Sequence, residues 1–215
     1  GSAYALFVGT NSIYVFDWGG IINGVFSTSV PANDGNWHHA AFSFQSGVTN
    51  GSKMYFDGAV VGTFKYTISN QTGKLAIGAT YDSYYRDYFN GSISEVRIWS
   101  TVLSDATIFQ NYNKPIDPTS PNLTGYWPLN ENVGAIAYNS ISGGPNFTLT
   151  AAPVWVKVAK TPSLFHHRNL PSTFQQFAYI TNISTSLTQT VIFPKAVNYT
   201  LSFWTTYNTT YYNAS

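Results

Sequence analysis

The 215-residue chain contains no cysteine, which excludes a disulfide framework and any thiolate-bound metal. Charge is almost as scarce. Asp, Glu, Lys and Arg together make up 9% of the residues, against roughly 25% in ordinary soluble domains. A net charge of +1 provides no basic stripe to displace counterions from a phosphate backbone, so nucleic acid is excluded as a partner class. Glutamate occurs only at Glu95 and Glu131, and no apolar run approaches the length of a helical membrane span. A nucleophile elbow, a phosphate-binding glycine loop and zinc-ligand spacing are all missing.

Serine, threonine, asparagine, glycine and tyrosine fill the space that charge leaves, and aromatic residues reach 17%. The surface is therefore expected to be polar but largely uncharged, with few carboxylates to titrate in a harsh exterior. N-x-Ser/Thr triplets begin at Asn50, Asn70, Asn90, Asn122, Asn146, Asn182, Asn198, Asn208 and Asn213. Several fall beside glycine or in expected turns, where an N-linked glycan is tolerated. These sequons point to an extracellular location, on a cell surface or a virion surface.

Alternating polar and apolar residues mark the strands. Ala40, Phe42 and Phe44 share one face of the strand that follows Trp37, and Met54 and Phe56 share one face of the next. Asp57-Gly58 between two such runs predicts a type I′ hairpin, whose two central residues need positive φ. Strands are also predicted over residues 4–8, 12–18, 21–26, 64–68 and 74–78. In Gly91–Trp99, Val96 and Ile98 oppose Glu95 and Arg97. Ser104 is placed to cap a short helix with Asp105 in its first turn and an apolar side of Ile108, Phe109 and Tyr112.

These motifs, Asn36-Trp37-His38-His39-Ala40-Ala41-Phe42, Lys53 to Gly62, Leu75 to Gly78 and Phe89 to Ser104, resemble in order the second half of a laminin-G-like, concanavalin-A-type jelly roll. The resemblance spans residues 3–113. It implies a β-sandwich that recognises glycans or protein partners. Leu123-Thr124-Gly125-Tyr126-Trp127-Pro128-Leu129-Asn130-Glu131 and the stretch that follows resemble the segment bordering such domains, with Asn139 where the family usually has Asp. Leu187–Pro194 and Asn198–Trp204 resemble the opening strands of galactose-binding-like sandwiches.

The expected architecture is all-β: an antiparallel jelly roll with one short helix, followed by part of a second β-sandwich. The jelly roll covers 1–156, lacks its N-terminal strands, and uses 122–156 as a closing segment. Residues 157–172 form a linker, and 173–215 begin the galactose-binding-like module. An abrupt start in mid-strand and the short last module read as pieces of a longer protein.

The chemistry expected is recognition. Two glutamates without the E-x-D-x-x-E pattern of related glucanases do not make a glycosidase pair. Glu95 reads as an exposed charge paired with Arg97. Neighbours in a strand point to opposite faces, so His38 and His39 cannot share an ion; His166 and His167 meet the same obstacle unless the linker bends, and one of each pair is expected to pack while the other is solvated. Asp82, Asp87 and Asn90 form a candidate calcium set once backbone carbonyls and water are added. Tyr81, Tyr84, Tyr85 and Tyr88 lie in the same loop. They suit stacking on sugar rings, or packing over the end of the sandwich or against a sister subunit. The functional expectation is a non-enzymatic adhesion or recognition protein whose partners are glycans or cell-surface glycoproteins, with homo-oligomers allowed. The alternatives are a glycosylated spacer or filament subunit, and an accessory module of a secreted glycoside hydrolase.

Overall fold

A computed structural model describes residues 3–9, 11–18, 25–65, 72–81, 85–86, 89, 91–150, 154–157, 176–180, 186–192 and 199–207. In chain order its elements are β1 (Ala3–Gly9), β2 (Ser12–Trp18), β3 (Val25–Ser29), β4 (His38–Phe44), β5 (Ser52–Phe56), β6 (Ala59–Phe64), β7 (Thr72–Ile77), β8 (Thr80–Tyr81), β9 (Tyr85–Arg86), β10 (Gly91–Trp99), α1 (Asp105–Asn111), β11 (Leu123–Trp127), β12 (Ile136–Ala137), β13 (Phe147–Thr150), β14 (Val154–Lys157), β15 (Gln176–Ile180), β16 (Ser186–Ile192) and β17 (Tyr199–Tyr207). All the pairings are antiparallel, and the fold is an all-β sandwich with one helix among the described residues.

The large sheet runs β14-β15-β10-β17-β4-β5-β6, with β11 also paired to β10. Smaller sheets are β1-β2-β3 and β12-β13-β16-β7. Alternation along each strand sends one set of side chains between the layers. Ala40, Phe42 and Phe44 of β4 and Met54 and Phe56 of β5 meet Ile13 and Val15 of β2 and Phe64 of β6 in one core cluster. Ile93, Val96 and Ile98 of β10 meet Trp127, Phe147 and Leu149 in another. Phe42 stacks on Phe64 at 5.6 Å, and Trp127 tilts against Phe147 at 4.5 Å. Each such ring contributes about 1.5–3 kcal/mol on burial.

Asp57 and Gly58 adopt φ of 50° and 80°, as the predicted two-residue turn requires. Asp57 also ties the turn to β4, because its Oδ1 accepts from the His39 backbone N–H at 2.9 Å. The helix starts where the sequence predicts. Ser104 Oγ accepts the Thr107 N–H at 3.1 Å, and Ile108 and Tyr112 are buried. Phe109, however, is 56% exposed, since it sits about 100° around the helix from Ile108.

The helix and the residues after it cover the outer face of the large sheet, so both faces of β4 and β10 are buried. This overturns two expectations. Glu95 is not an exposed charge: it is 7% exposed beside an Arg97 that is 1% exposed. His38 and His39 do point to opposite faces, yet both are buried, because each face has a cover.

A bulge between Ser94 and Arg97 divides β10, with Glu95 at φ 55°. It puts Ile93 on the same face as Val96, which strict alternation would not. β15 pairs with Gly91–Ile93 and β11 with Val96–Trp99. Strands expected to open a second sandwich instead pair with strands of the first. β15 joins β10, β16 runs between β13 and β7, and β17 lies between β10 and β4. The linker expected over 157–172 falls outside the described residues apart from Lys157 in β14.

Candidate functional site

On the covered face an open cleft of ≈ 680 Å³ lies between the loop after β4 and the segment leading into α1. Gln45, Val48 and Asn50 form one wall, and Asp105 with Ala106 the other. The loop turns tightly: Gly47 and Asn50 have positive φ, and the Gly51 N–H donates to the Val48 carbonyl at 3.1 Å. A Cβ on Gly51 would lie 2.6 Å from that of Val48, so glycine is what lets the wall close.

Lys53 and Tyr55 rise from β5 into this cleft because alternation places them opposite Met54 and Phe56. Lys53 Nζ donates to both oxygens of Asp105, at 2.8 and 2.7 Å, and the Tyr55 hydroxyl donates to Oδ1 at 2.8 Å. The Lys53 hydrogen bond, joined by that of Tyr55, holds the Asp105 carboxyl below its usual range against the opposing pull of partial burial. Burial pushes the Tyr55 phenol well up, and Asp105 adds to that shift against Ser43. The result is a fixed carboxylate acceptor beside an ammonium donor and a neutral phenol, with Val48 43% exposed alongside.

Glu95, Glu131, Asp34 and Asp57 are occupied elsewhere. Neither glutamate lines the cleft. Glu95 Oε2 takes Arg97 Nη2 at 2.6 Å and the Tyr126 hydroxyl at 2.9 Å. Glu131 Oε1 accepts the Tyr138 N–H at 2.7 Å, and burial raises its pKa against that bond. Asn139, where the family usually has Asp, spends its Oδ1 on the backbone N–H groups of Tyr126 and Ile141. His38 bridges Asp57 at 2.9 Å and Asp34 at 3.0 Å, below the turn between β5 and β6. Burial opposes charging of its ring, but the two hydrogen bonds and the charges behind them prevail and raise its pKa.

Of the tyrosines singled out in the sequence, Tyr81 and Tyr85 pair across β8 and β9. Tyr84 and Tyr88, like the candidate calcium ligands Asp82, Asp87 and Asn90, lie outside the described residues, as do His166 and His167. Among the described residues no group of three or more His, Asp or Glu side chains is arranged to hold a metal ion. Asn50, Asn122 and Asn146 are exposed, the first two at positive φ in turns. The sequons at Asn70, Asn182, Asn198, Asn208 and Asn213 also lie outside the described residues. Sequence reading missed the cleft. Its one early sign was Lys53 and Tyr55 alternating out of the core face.

The family model described as the concanavalin A-like lectin/glucanases superfamily, in its laminin-G form, matches residues 1–109. The chain belongs to that family. The match takes in β1 to β10, the loop after β4 and the first turns of α1, and so contains every wall of the cleft. It stops short of the 187–204 stretch that resembles galactose-binding-like sandwiches. No curated protein and no solved structure matches the chain. A concanavalin A-like domain fits a carbohydrate-binding or adhesion role, and no helix among the described residues is long and apolar enough to cross a membrane.

Proposed function

We propose that this concanavalin A-like chain is a non-catalytic recognition module of a glycosylated extracellular protein, and that it holds a saccharide in the cleft above Lys53 and Tyr55. The observation that carries the proposal is the Lys53–Asp105–Tyr55 cluster. It presents a preset acceptor and donor at the mouth of an open cleft of ligand size. Sugar hydroxyls pair with such alternating donors and acceptors, and the apolar face of a sugar ring suits the exposed Val48. The carboxylate is bound to an ammonium and held ionised, which suits accepting hydrogen bonds and does not suit giving up a proton as a general acid. Nine sequons support the exterior location, and Asn50 stands on the cleft rim. The tyrosine-bearing segment at 81–88 is the competing place for the ligand.

A glycan array separates the two places. The parent protein is the Asn50→Gln variant, so that no glycan of its own enters the cleft. Lys53→Ala with Asp105→Ala is expected to weaken capture at least tenfold while melting changes little. Tyr84→Ala with Tyr85→Ala is expected to leave it intact. The reverse pattern would move the site to the 81–88 segment, and no capture by the parent would remove the saccharide reading. Intact mass before and after deglycosylation, on protein from its native source, tests the exterior location.

A further inference from the structure

The family match ends at residue 109, yet the sheet it forms is completed by a strand from far beyond it. β17 lies between β4 and β10 and is paired to both. Seven residues face β4, from Tyr199↔Phe44 to Thr205↔His38. On the other side the pairs run from Thr200↔Trp99 to Tyr207↔Gly91, interrupted only by the bulge. Without β17, both strands would present unpaired N–H and C=O groups next to a buried core, a costly arrangement and a template for another strand.

The side chains of β17 fit that gap. Phe203 packs against both core clusters and Leu201 against the one around Val96, so this strand joins the two halves of the core. On the opposite face Thr200 is fully buried. Its hydroxyl donates to the Thr101 carbonyl at 3.0 Å and accepts the Leu103 N–H at 3.1 Å, which fixes the approach to α1.

We propose that the gap between β4 and β10 is an acceptor groove and Tyr199–Tyr207 a donor strand, and that copies of this chain exchange the strand. Every contact β17 makes within its own chain is available, unchanged, in the groove of a second copy. Between the two arrangements only the path of the intervening chain and the local concentration of the strand differ. High concentration during refolding therefore favours exchange, and dilution favours the self-filled form.

The absence of cysteine makes the test clean. Ser202 lies opposite Ala41 in the β17–β4 ladder, and antiparallel partners stand at roughly 4.5–5.5 Å between Cα atoms, within disulfide reach. One chain carries Ala41→Cys, another Ser202→Cys, and a third carries both. The two single variants are unfolded, mixed, refolded at high concentration and oxidised, and the products are weighed under non-reducing conditions. Exchange predicts a disulfide-linked heterodimer from the mixture and an internal cross-link in the double variant refolded dilute. A mixture that stays monomeric beside a cross-linked double variant overturns the proposal. So does a double variant that folds without cross-linking. The unsubstituted chain, refolded at the same concentrations and sized by light scattering, guards against a substitution that prevents folding: monomer throughout also overturns it.

Discussion

Arg97 and Glu95, two positions apart on β10, form a 2.6 Å ion pair that is buried beneath the end of α1. Alternation already sets both side chains on one face of β10, and the pair sits at the bulge, where Glu95 has φ 55°. Arg97 also donates to the carbonyls of Asn111 and Lys114, at 3.2 and 2.5 Å, and so ties the sheet to the chain leaving the helix.

Removing one member of this pair strands the other as a buried charge. Arg97→Met is expected to cost about 3–5 kcal/mol in urea unfolding. Adding Glu95→Gln to it should recover part of that loss. Equal midpoints for the single and double variants would show that the pair is not coupled.

His39 sets an acid limit. Burial, aided by the charge of Arg97, lowers its pKa from 6.5 to about 3. Between those values the unfolded chain binds a proton that the folded chain refuses. The stability from neutral His39 is thus complete above pH 6.5 and drains as the pH falls toward 3. From pH 7 to 4.5 the loss is expected to be about 2–3 kcal/mol. His39→Gln should flatten that slope in urea midpoints, and an unchanged slope would assign it to other groups. His38 acts with opposite sign. Its raised pKa gives stability that is complete below 6.5 and lost as the pH rises through the folded value.

Gly58 is costly to replace. At φ 80° a Cβ there would lie 2.6 Å from Tyr112 Cδ1, against a ring that α1 holds in place. Gly58→Ala is expected to cost about 1–3 kcal/mol, combining left-handed strain with the clash. Adding Tyr112→Ala should relieve the steric part but not the strain, a difference that thermal melts would resolve.

The cleft pair should behave in the opposite way to the buried one. Lys53 and Asp105 are partly exposed, at 31% and 51% for their side chains, so solvent screens their attraction. Lys53→Met is expected to change stability by about 0–1 kcal/mol. A larger loss would make the pair a structural clasp and weaken its assignment to ligand binding.

Local features were legible in the sequence because local chemistry decides them. The Asp57-Gly58 turn, the Ser104 cap and the inward faces of β4 and β5 follow from φ preference, hydrogen-bonding capacity and alternation. The burial of Glu95 and of both histidines was not legible, since it depends on α1 folding over the outer face. A bulge leaves no mark in an alternating pattern, so the shared face of Ile93 and Val96 was hidden as well. The place of β17 was hidden for another reason. Its alternation shows that it is a strand, but register with β4 and β10 is a relation between segments far apart in the chain. The cleft lies between two loops, and only the tertiary fold brings Lys53 to Asp105.

The position of β17 also dictates an order of events at the ribosome. Thr200 bonds to Thr101 across 99 positions of sequence, and synthesis at about 5–20 residues per second takes roughly 5–20 s to cover them. Through that interval the nascent chain holds β4 and β10 with no strand between them and Phe42 next to an unfilled seam. Folding of this sheet therefore waits for translation to deliver its central strand, and a chain released before Tyr199 leaves the ribosome with that seam open.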